Sequence, residues 1–268
     1  MHNNILSPFR VLAYFVLFYT LTISTSLGSD LKVLSSSELL GKRPNIIMFL
    51  ADDQSITDHT TYGNKKVPTD ITYKFSKESL VFDNAFTGQA ICAPSRSMLL
   101  TGMYPLKNGC YINHTAIRPG IKTLPSHLKE LGYDVLLVGK SHLKPSGQFP
   151  WTKWIQPVKK DGYPRPSVSI EEVDEYLAQN DKPFCIIVAS EYPHGPYFKD
   201  SKYKPNEIEL PPYQYDNLGS RNYFARYYTS IKEKENEFDA ILDLVDQHNL
   251  KEETIVFYAD DHGMARGK

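Results

Sequence analysis

The sequence is short of cysteine, with three in 268 residues: Cys92, Cys110 and Cys185. An odd count excludes a set fully paired in disulfides and leaves at least one thiol with another role. Net charge is lacking too. Thirty Lys and Arg against 31 Asp and Glu leave a formal charge of -1. That is too little for the field that draws a protein to nucleic acid or to an anionic membrane, so any anion selectivity must be local. Internal repeats, low-complexity linkers and an internal domain boundary are absent as well. What is present is a globular composition, 41% hydrophobic, enough for a real core at this length.

The first 28 residues stand apart. Arg10 is their only charged side chain, Val11 to Ile23 form an apolar stretch, and the small residues Ser24, Ser26, Gly28 and Ser29 follow. The run is shorter than the roughly 20 apolar residues of a membrane-spanning helix. Residues 1–28 therefore read as a secretory signal peptide rather than a stable membrane span, and residues 29–268 as a secreted, lysosomal or periplasmic domain. In a eukaryotic secretory route, Asn113-His114-Thr115 would be a glycosylation sequon.

Four short runs rich in β-branched residues are separated by helical stretches: Ile46 to Leu50, Val135 to Val138, Phe184 to Val188 and Ile255 to Tyr258. Near-continuous apolar strands alternating with helices predict an α/β fold, a mainly parallel sheet sandwiched between helices. Helices are expected at Asp70 to Glu78, Leu124 to Leu131 and Ile170 to Gln179. The longest is expected at about Asn222 to Gln247, where Phe224, Tyr227, Tyr228, Ile231, Phe238, Ile241, Leu242 and Val245 recur at helical spacing. Cys185, inside an apolar run, reads as a small core hydrophobe. Ser141 to Ser167 and Tyr192 to Leu218 read as long loops. In the first of them, Trp151, Trp154 and Tyr163 either stack on sugar rings or hold the insertion together.

Each strand is followed by ionisable residues. Asp52 and Asp53 follow the first, Lys140 and His142 the second, His194 the third, and Asp260, Asp261 and His262 the fourth. Ligands of open α/β sheets bind at the carboxyl ends of the strands, so these groups should converge. Asp52 and Asp53 cannot both be buried and ionised without a compensating cation, and carboxylate oxygens suit calcium or magnesium, with His262 a less usual ligand for either. Taken singly, Asp52-Asp53 could equally cap a helix and Asp260-Asp261 mark a turn. In Cys92-Ala93-Pro94-Ser95-Arg96, Pro94 falls where a helix begins, so Cys92 lies beside a helix N-terminus that favours an anion. Arg96 offers a planar fork of donors for an oxyanion. Alone, this segment equally fits an ordinary buried cysteine.

Together these segments resemble the type I, formylglycine-dependent sulfatases of the alkaline phosphatase-like superfamily. The resemblance rests on Cys92-Ala93-Pro94-Ser95-Arg96 with Leu100-Thr101-Gly102, on Pro44-Asn45-Ile46-Ile47 leading to Asp52-Asp53, on Gly139-Lys140-Ser141-His142, on Pro193-His194-Gly195-Pro196 and on Asp261-His262-Gly263. It implies that Cys92 is oxidised to 3-oxoalanine (formylglycine) by a formylglycine-generating enzyme. By this resemblance, one hydroxyl of the hydrated residue attacks the sulfur as the alcohol leaves, and the other then collapses to the aldehyde and expels sulfate. It further implies one Ca2+ held by Asp52, Asp53, modified Cys92, Asp261 and His262. Arg96 and Lys140 would stabilise the charged transition state, His142 would act as base, and His194 as donor to the leaving oxygen. Lys140, His194 and, more loosely, Lys268 would bind the sulfate group. Asp260 is left as a bystander in a turn. The substrate would be a sulfated glycan or small sulfate ester, with a looser resemblance to the glycosaminoglycan sulfatase and sulfamidase branch. Family members usually continue into further strands and a smaller C-terminal domain, which implies a catalytic domain truncated at its C-terminus. The alternatives are a phosphatase, phosphonate or phosphodiester hydrolase of the same superfamily, or an inactive secreted carbohydrate-binding relative.

Overall fold

The computed structural model describes residues 43–264. The segment read as a signal peptide, and Lys268, lie outside them. Strands β1 (Asn45–Ala51), β2 (Asp134–Gly139), β3 (Lys153–Ile155), β4 (Phe184–Ala189) and β5 (Thr254–Asp260) form one sheet in the order β3-β2-β4-β1-β5. Every neighbouring pair is parallel. The α/β sheet read from the sequence is therefore the observed one, with one addition. β3 lies in the segment expected to be a loop, because three residues between prolines carry no pattern and only pairing with β2 makes them a strand.

Alternate side chains of each strand enter opposite cores, as the two-residue period of a strand requires. Ile47, Phe49, Leu136, Val138, Ile186 and Val188 pack on one face against Val173 and Leu177 of Ile170–Gln179 and Phe238, Ile241 and Val245 of Leu218–Gln247. On the other face, Val135, Leu137, Cys185 and Ile187 meet Ala93 and Leu100 of Cys92–Thr101 and Leu128 of Leu124–Glu130. In chain order the helices are α1 (Asp70–Ser76), α2 (Cys92–Thr101), α3 (Pro105–Asn108), α4 (Leu124–Glu130), α5 (Ile170–Gln179) and α6 (Leu218–Gln247). α6 starts four residues before its expected N-terminus because Asn217 Oδ1 accepts the Ser220 amide at 2.9 Å, an N-cap that apolar spacing does not report. No described helix is long and apolar enough to cross a membrane.

Register sets the geometry of the site. Ala51 lies opposite Asp260, and Leu50 and Gly139 both lie opposite Ala189, so four strands end at one level. Gly139 has φ 86°, and a Cβ there would run into the Ala189 carbonyl. Glycine is thus what lets β2 turn while Lys140 N bonds to that carbonyl at 2.9 Å.

Candidate functional site

The first two acidic residues leave β1 at the centre of the sheet. Asp52 N donates to Tyr192 O and Asp261 N to Ala51 O, both at 3.0 Å, which stitches the ends of β1, β4 and β5 together. Asp52 is fully buried; it pairs with Lys140 Nζ and lies 3.5 Å from Arg96 Nη2. Burial alone would raise the Asp52 carboxyl, but Arg96 and then Lys140 outweigh it and hold it well below the usual carboxylate range. Asp261 moves the other way. Its Oδ2 accepts from Arg96 Nε and its Oδ1 from Asp53 N, each at 3.1 Å. Burial nevertheless pushes it up: Arg96 opposes the shift and the nearby Asp52 adds to it.

Cys92 is the first residue of α2, 5% exposed. Its Sγ lies 3.1 Å from His262 Nε2 and 3.7 Å from Asp52 Oδ1. Burial pushes the thiol up to about 12; Lys140 opposes the shift, and Asp52, Asp261 and Asp53 add to it. His262 Nε2 is also 3.1 Å from Asp53 Oδ1 and 3.5 Å from Asp261 Oδ1. His194 Nε2 approaches Asp53 Oδ2 at 3.6 Å.

Whether these residues suit a divalent ion follows from their chemistry. Asp52, Asp53, Cys92 and His262 each offer a ligand atom, all within 4.8 Å of one another. Three carboxylates face two fixed cations, Arg96 and Lys140. Asp53 Oδ1 is buried and, despite His262 nearby, makes no hydrogen bond among the described residues. An orphaned buried carboxylate oxygen in a set with surplus negative charge fits a hard cation. Asp261 stands at the edge of this group, its oxygens already committed to Arg96 and to the Asp53 amide.

The sulfatase family model matches residues 44–268. The chain belongs to the sulfatase family. It is 43% identical over 236 residues to an ulvan-active sulfatase of Formosa agariphila, covering 87% of this chain and 47% of that protein. A 2-O GAG sulfatase superposes with a TM-score of 0.70 at 20% identity, covering 83% of this chain and 58% of the other. A phosphonate monoester hydrolase of Agrobacterium radiobacter superposes with a TM-score of 0.66 at 15% identity, covering 82% and 63%. At those identities the two structures speak for the fold alone. The chain spans about half the length of the curated relatives it matches.

Other residues of this sulfatase chain fall less simply. His142 Nε2 faces His114 Nδ1 at 2.7 Å, not Cys92. Burial, then Lys140, His114 and Arg96, push its imidazole down to about 4 against the pull of Asp52. Asp260 is the last residue of β5 and not part of a turn, since β5 pairs with β1 as far as Ala51. Its carboxylate bonds His59 Nε2 at 2.7 Å and the Tyr258 hydroxyl at 3.0 Å. Trp151 stacks near Phe149 and Tyr163 meets Phe198 edge-on, so both hold the insertion. Trp154 is half-exposed, and its indole N–H donates to Gly139 O at 2.9 Å, beside Lys140. Nothing in the strand-end pattern points to His114, or to Asn113 other than as a sequon, beside the site. The Asn-His pair, 21 and 22 positions after Cys92, carries no strand-end signal.

Proposed function

We propose that this chain is the nucleophile-bearing part of a sulfuric ester hydrolase that releases sulfate from a sulfated glycan, with Cys92 the precursor of formylglycine. The observation that carries this reading is the setting of Cys92. It is buried at the start of α2, with Asp52, Asp53 and His262 offering ligand atoms beside it and Arg96 and Lys140 within the same cluster. A thiol held at about 12 is protonated at neutral pH and a poor nucleophile. A role as precursor accounts better for a cysteine in such a place. When bound, a calcium ion would supply the positive charge that the three carboxylates lack, held by Asp52, Asp53, His262 and the residue at 92, with Asp261 at its edge. Formylglycine would supply a hydrated aldehyde, one hydroxyl to take the sulfate group and one to let it go.

The chain's own residues do the rest. Arg96, locked by Asp261, and Lys140 carry fixed positive charge to where sulfate oxygens would bind. His194, partly exposed and with Nδ1 turned to the Gly195 carbonyl, keeps Nε2 3.6 Å from Asp53 Oδ2, and would donate from it to the leaving oxygen. Lys268 is assigned to sulfate binding by the family likeness. Export through residues 1–28 fits the oxidation of Cys92 by a formylglycine-generating enzyme during secretion. A glycan substrate is supported by the ulvan-active relative. The fold shared with a phosphonate monoester hydrolase favours one second reading, hydrolysis of a phosphonate or phosphate ester.

The test uses the full-length protein from its native secretory route. Peptide mass spectrometry should show an aldehyde in place of the Cys92 thiol, and sulfate should leave an aryl sulfate faster than phosphate leaves the matching ester. An intact thiol, or the reverse ranking, rejects the reading.

A further inference from the structure

Among the described residues, four non-glycine residues have positive φ: Asp53 (67°), His114 (65°), His142 (55°) and Asn249 (55°). Three of the four lie at or beside the Cys92 cluster. Backbone held in this region is strained and persists where surrounding contacts impose it, which is characteristic of functional sites. Asp53 is explained by its place beside the carboxylates. His114 and His142 lie outside the carboxylate cluster, and they touch each other.

The contacts around His114 run in two directions. Its Nδ1 is 2.7 Å from His142 Nε2, and the ring centroids are 4.5 Å apart. The preceding residue, Asn113, accepts from Ala93 N through Oδ1 at 3.1 Å. That amide belongs to the residue following Cys92, in the first turn of α2, where backbone donors have no helical partner. Asn113 Nδ2 in turn lies 3.3 Å from His114 Nε2. One dipeptide therefore grips both the helix end that carries Cys92 and the imidazole at the end of β2. His142 Nδ1 is buried and has no hydrogen-bond partner among the described residues. With Nε2 occupied by His114, Nδ1 is the ring nitrogen left to exchange a proton.

We infer that Asn113 and His114 form a positioning clamp for the sulfatase site, Asn113 fixing the first turn of α2 behind Cys92 and His114 fixing the tautomer and orientation of His142. This rests on the sulfatase reading for its consequence in catalysis, but not for the clamp itself. A hydrogen bond between two ring nitrogens needs one donor and one acceptor, so the facing nitrogens share a single proton. Burial, Lys140 at the end of β2, His114 itself and Arg96 from α2 keep His142 uncharged, against the pull of Asp52 from β1. Hydrogen bonds of this outer kind set which nitrogen of a functional imidazole is protonated. The clamp also gives the Asn113-His114-Thr115 sequon a structural use, since the carboxamide that would bear a glycan is already engaged on both its oxygen and its nitrogen.

The experiment compares the full-length wild-type protein with His114→Gly, His114→Asn and Asn113→Ala. Glycine removes the ring and keeps the positive φ. Asparagine tolerates that φ and places a polar atom where Nδ1 was. Ring signals of His142 from histidine-labelled protein, assigned with a His142→Gln control, are followed through a pH titration that needs no substrate. His114→Gly should raise the His142 midpoint by about one unit, the usual scale of one environmental change, and shift its tautomer signals, while His114→Asn should restore both in part. In turnover of a sulfate ester, His114→Gly and Asn113→Ala should each lower kcat at least about tenfold with KM nearly unchanged. An unmoved His142 titration in His114→Gly overturns the clamp whatever the activity. So does a glycan on Asn113 in protein from the native host, or a change in KM with kcat preserved. A shifted titration in a protein that cleaves phosphate and not sulfate esters would retain the clamp and reject the sulfatase reading.

Discussion

Two clusters of charge are buried in this molecule, and they are built on opposite plans. On α6, Lys234 and Glu235 are both fully buried and pair with each other. Thr72 of α1 donates its amide to Glu235 at 2.9 Å and shares its hydroxyl with both, and the Lys234 ammonium sits 4.9 Å above the Tyr258 ring. Lys234 answers Glu235 there, with Asp260 drawing on Lys234 as well as on His59, and no polar side-chain atom of the pair lacks a partner among the described residues. At the strand ends, three carboxylates meet two cations, and Asp53 Oδ1 and Arg96 Nη2 lack hydrogen bonds among the described residues. A closed cluster joins elements of the fold. An open one retains capacity for a ligand, and its cost is sustained by the strands that hold it.

The largest expected effect breaks the closed cluster. Lys234→Met strands a buried carboxylate and should cost about 3–5 kcal/mol in chemical denaturation, whereas replacing the pair together with Met and Leu should fall much nearer to wild type. A double variant as unstable as the single one would show that the two clusters are not different in kind.

Glu237, also on α6, tests what burial does without a cation. It accepts from Val168 N at 3.1 Å and from Ser190 Oγ at 2.5 Å, and burial pushes it up to about 7 although Ser190 and Val168 favour the charged form. Unfolded, the group ionises near its ordinary 4.5; folded, it holds its proton to about 7. The folded state therefore binds more protons between those values, so stability is intact below pH 4.5 and falls as pH rises to about 7. Glu237→Gln should remove that slope, gaining up to about 3 kcal/mol on wild type between pH 4.5 and pH 8. Parallel melting curves across that range would refute it. Its consequence reaches the site, because Ser190 Oγ accepts Tyr192 N and Tyr192 O accepts Asp52 N.

The open cluster should be closed by calcium. At a hundredfold excess over its dissociation constant, the ion should stabilise the protein by about 2.7 kcal/mol, read as a rise in Tm that chelation reverses. An unchanged Tm with millimolar calcium would mean that the carboxylates are balanced by other means.

How much of this was legible follows from what each residue type signals. Strands β1, β2, β4 and β5 and the acidic residues after them were readable because an apolar run and its first ionisable neighbour are adjacent in the chain. β3 was not, since Lys153–Ile155 is a strand only by pairing with β2. The stripe on α6 was readable as core, but Lys234, Glu235 and Glu237 on the same buried helix look in sequence like a solvated face. Their partners Thr72, Val168 and Ser190 lie 162, 69 and 47 positions away. For the same reason Asn113 read as a sequon, its contact with Ala93 being a product of the loop after α3. The strand-end pattern brings Lys140 to the site and resemblance alone brings Cys92 there; the structure adds how β2 and α2 carry them to Asp52.

The smallest effect is the most discriminating between the two plans. Asp53→Asn removes the one of the three carboxylates that faces His194 and His262, the other two being held by Arg96 and Lys140, and Asn accepts the αL conformation at φ 67° as readily as Asp does. Without calcium the variant should be more stable than wild type by about 1 kcal/mol, the like-charge repulsion in the buried cluster being largely offset by the contacts of Asp53 with His194 and His262. With calcium the order should invert, because the orphaned Oδ1 is the oxygen most available to the ion. In a closed cluster the same substitution would destabilise under both conditions. A sign that depends on calcium therefore separates a site from a staple, and a loss of stability in both buffers would place Asp53 with Lys234 and Glu235.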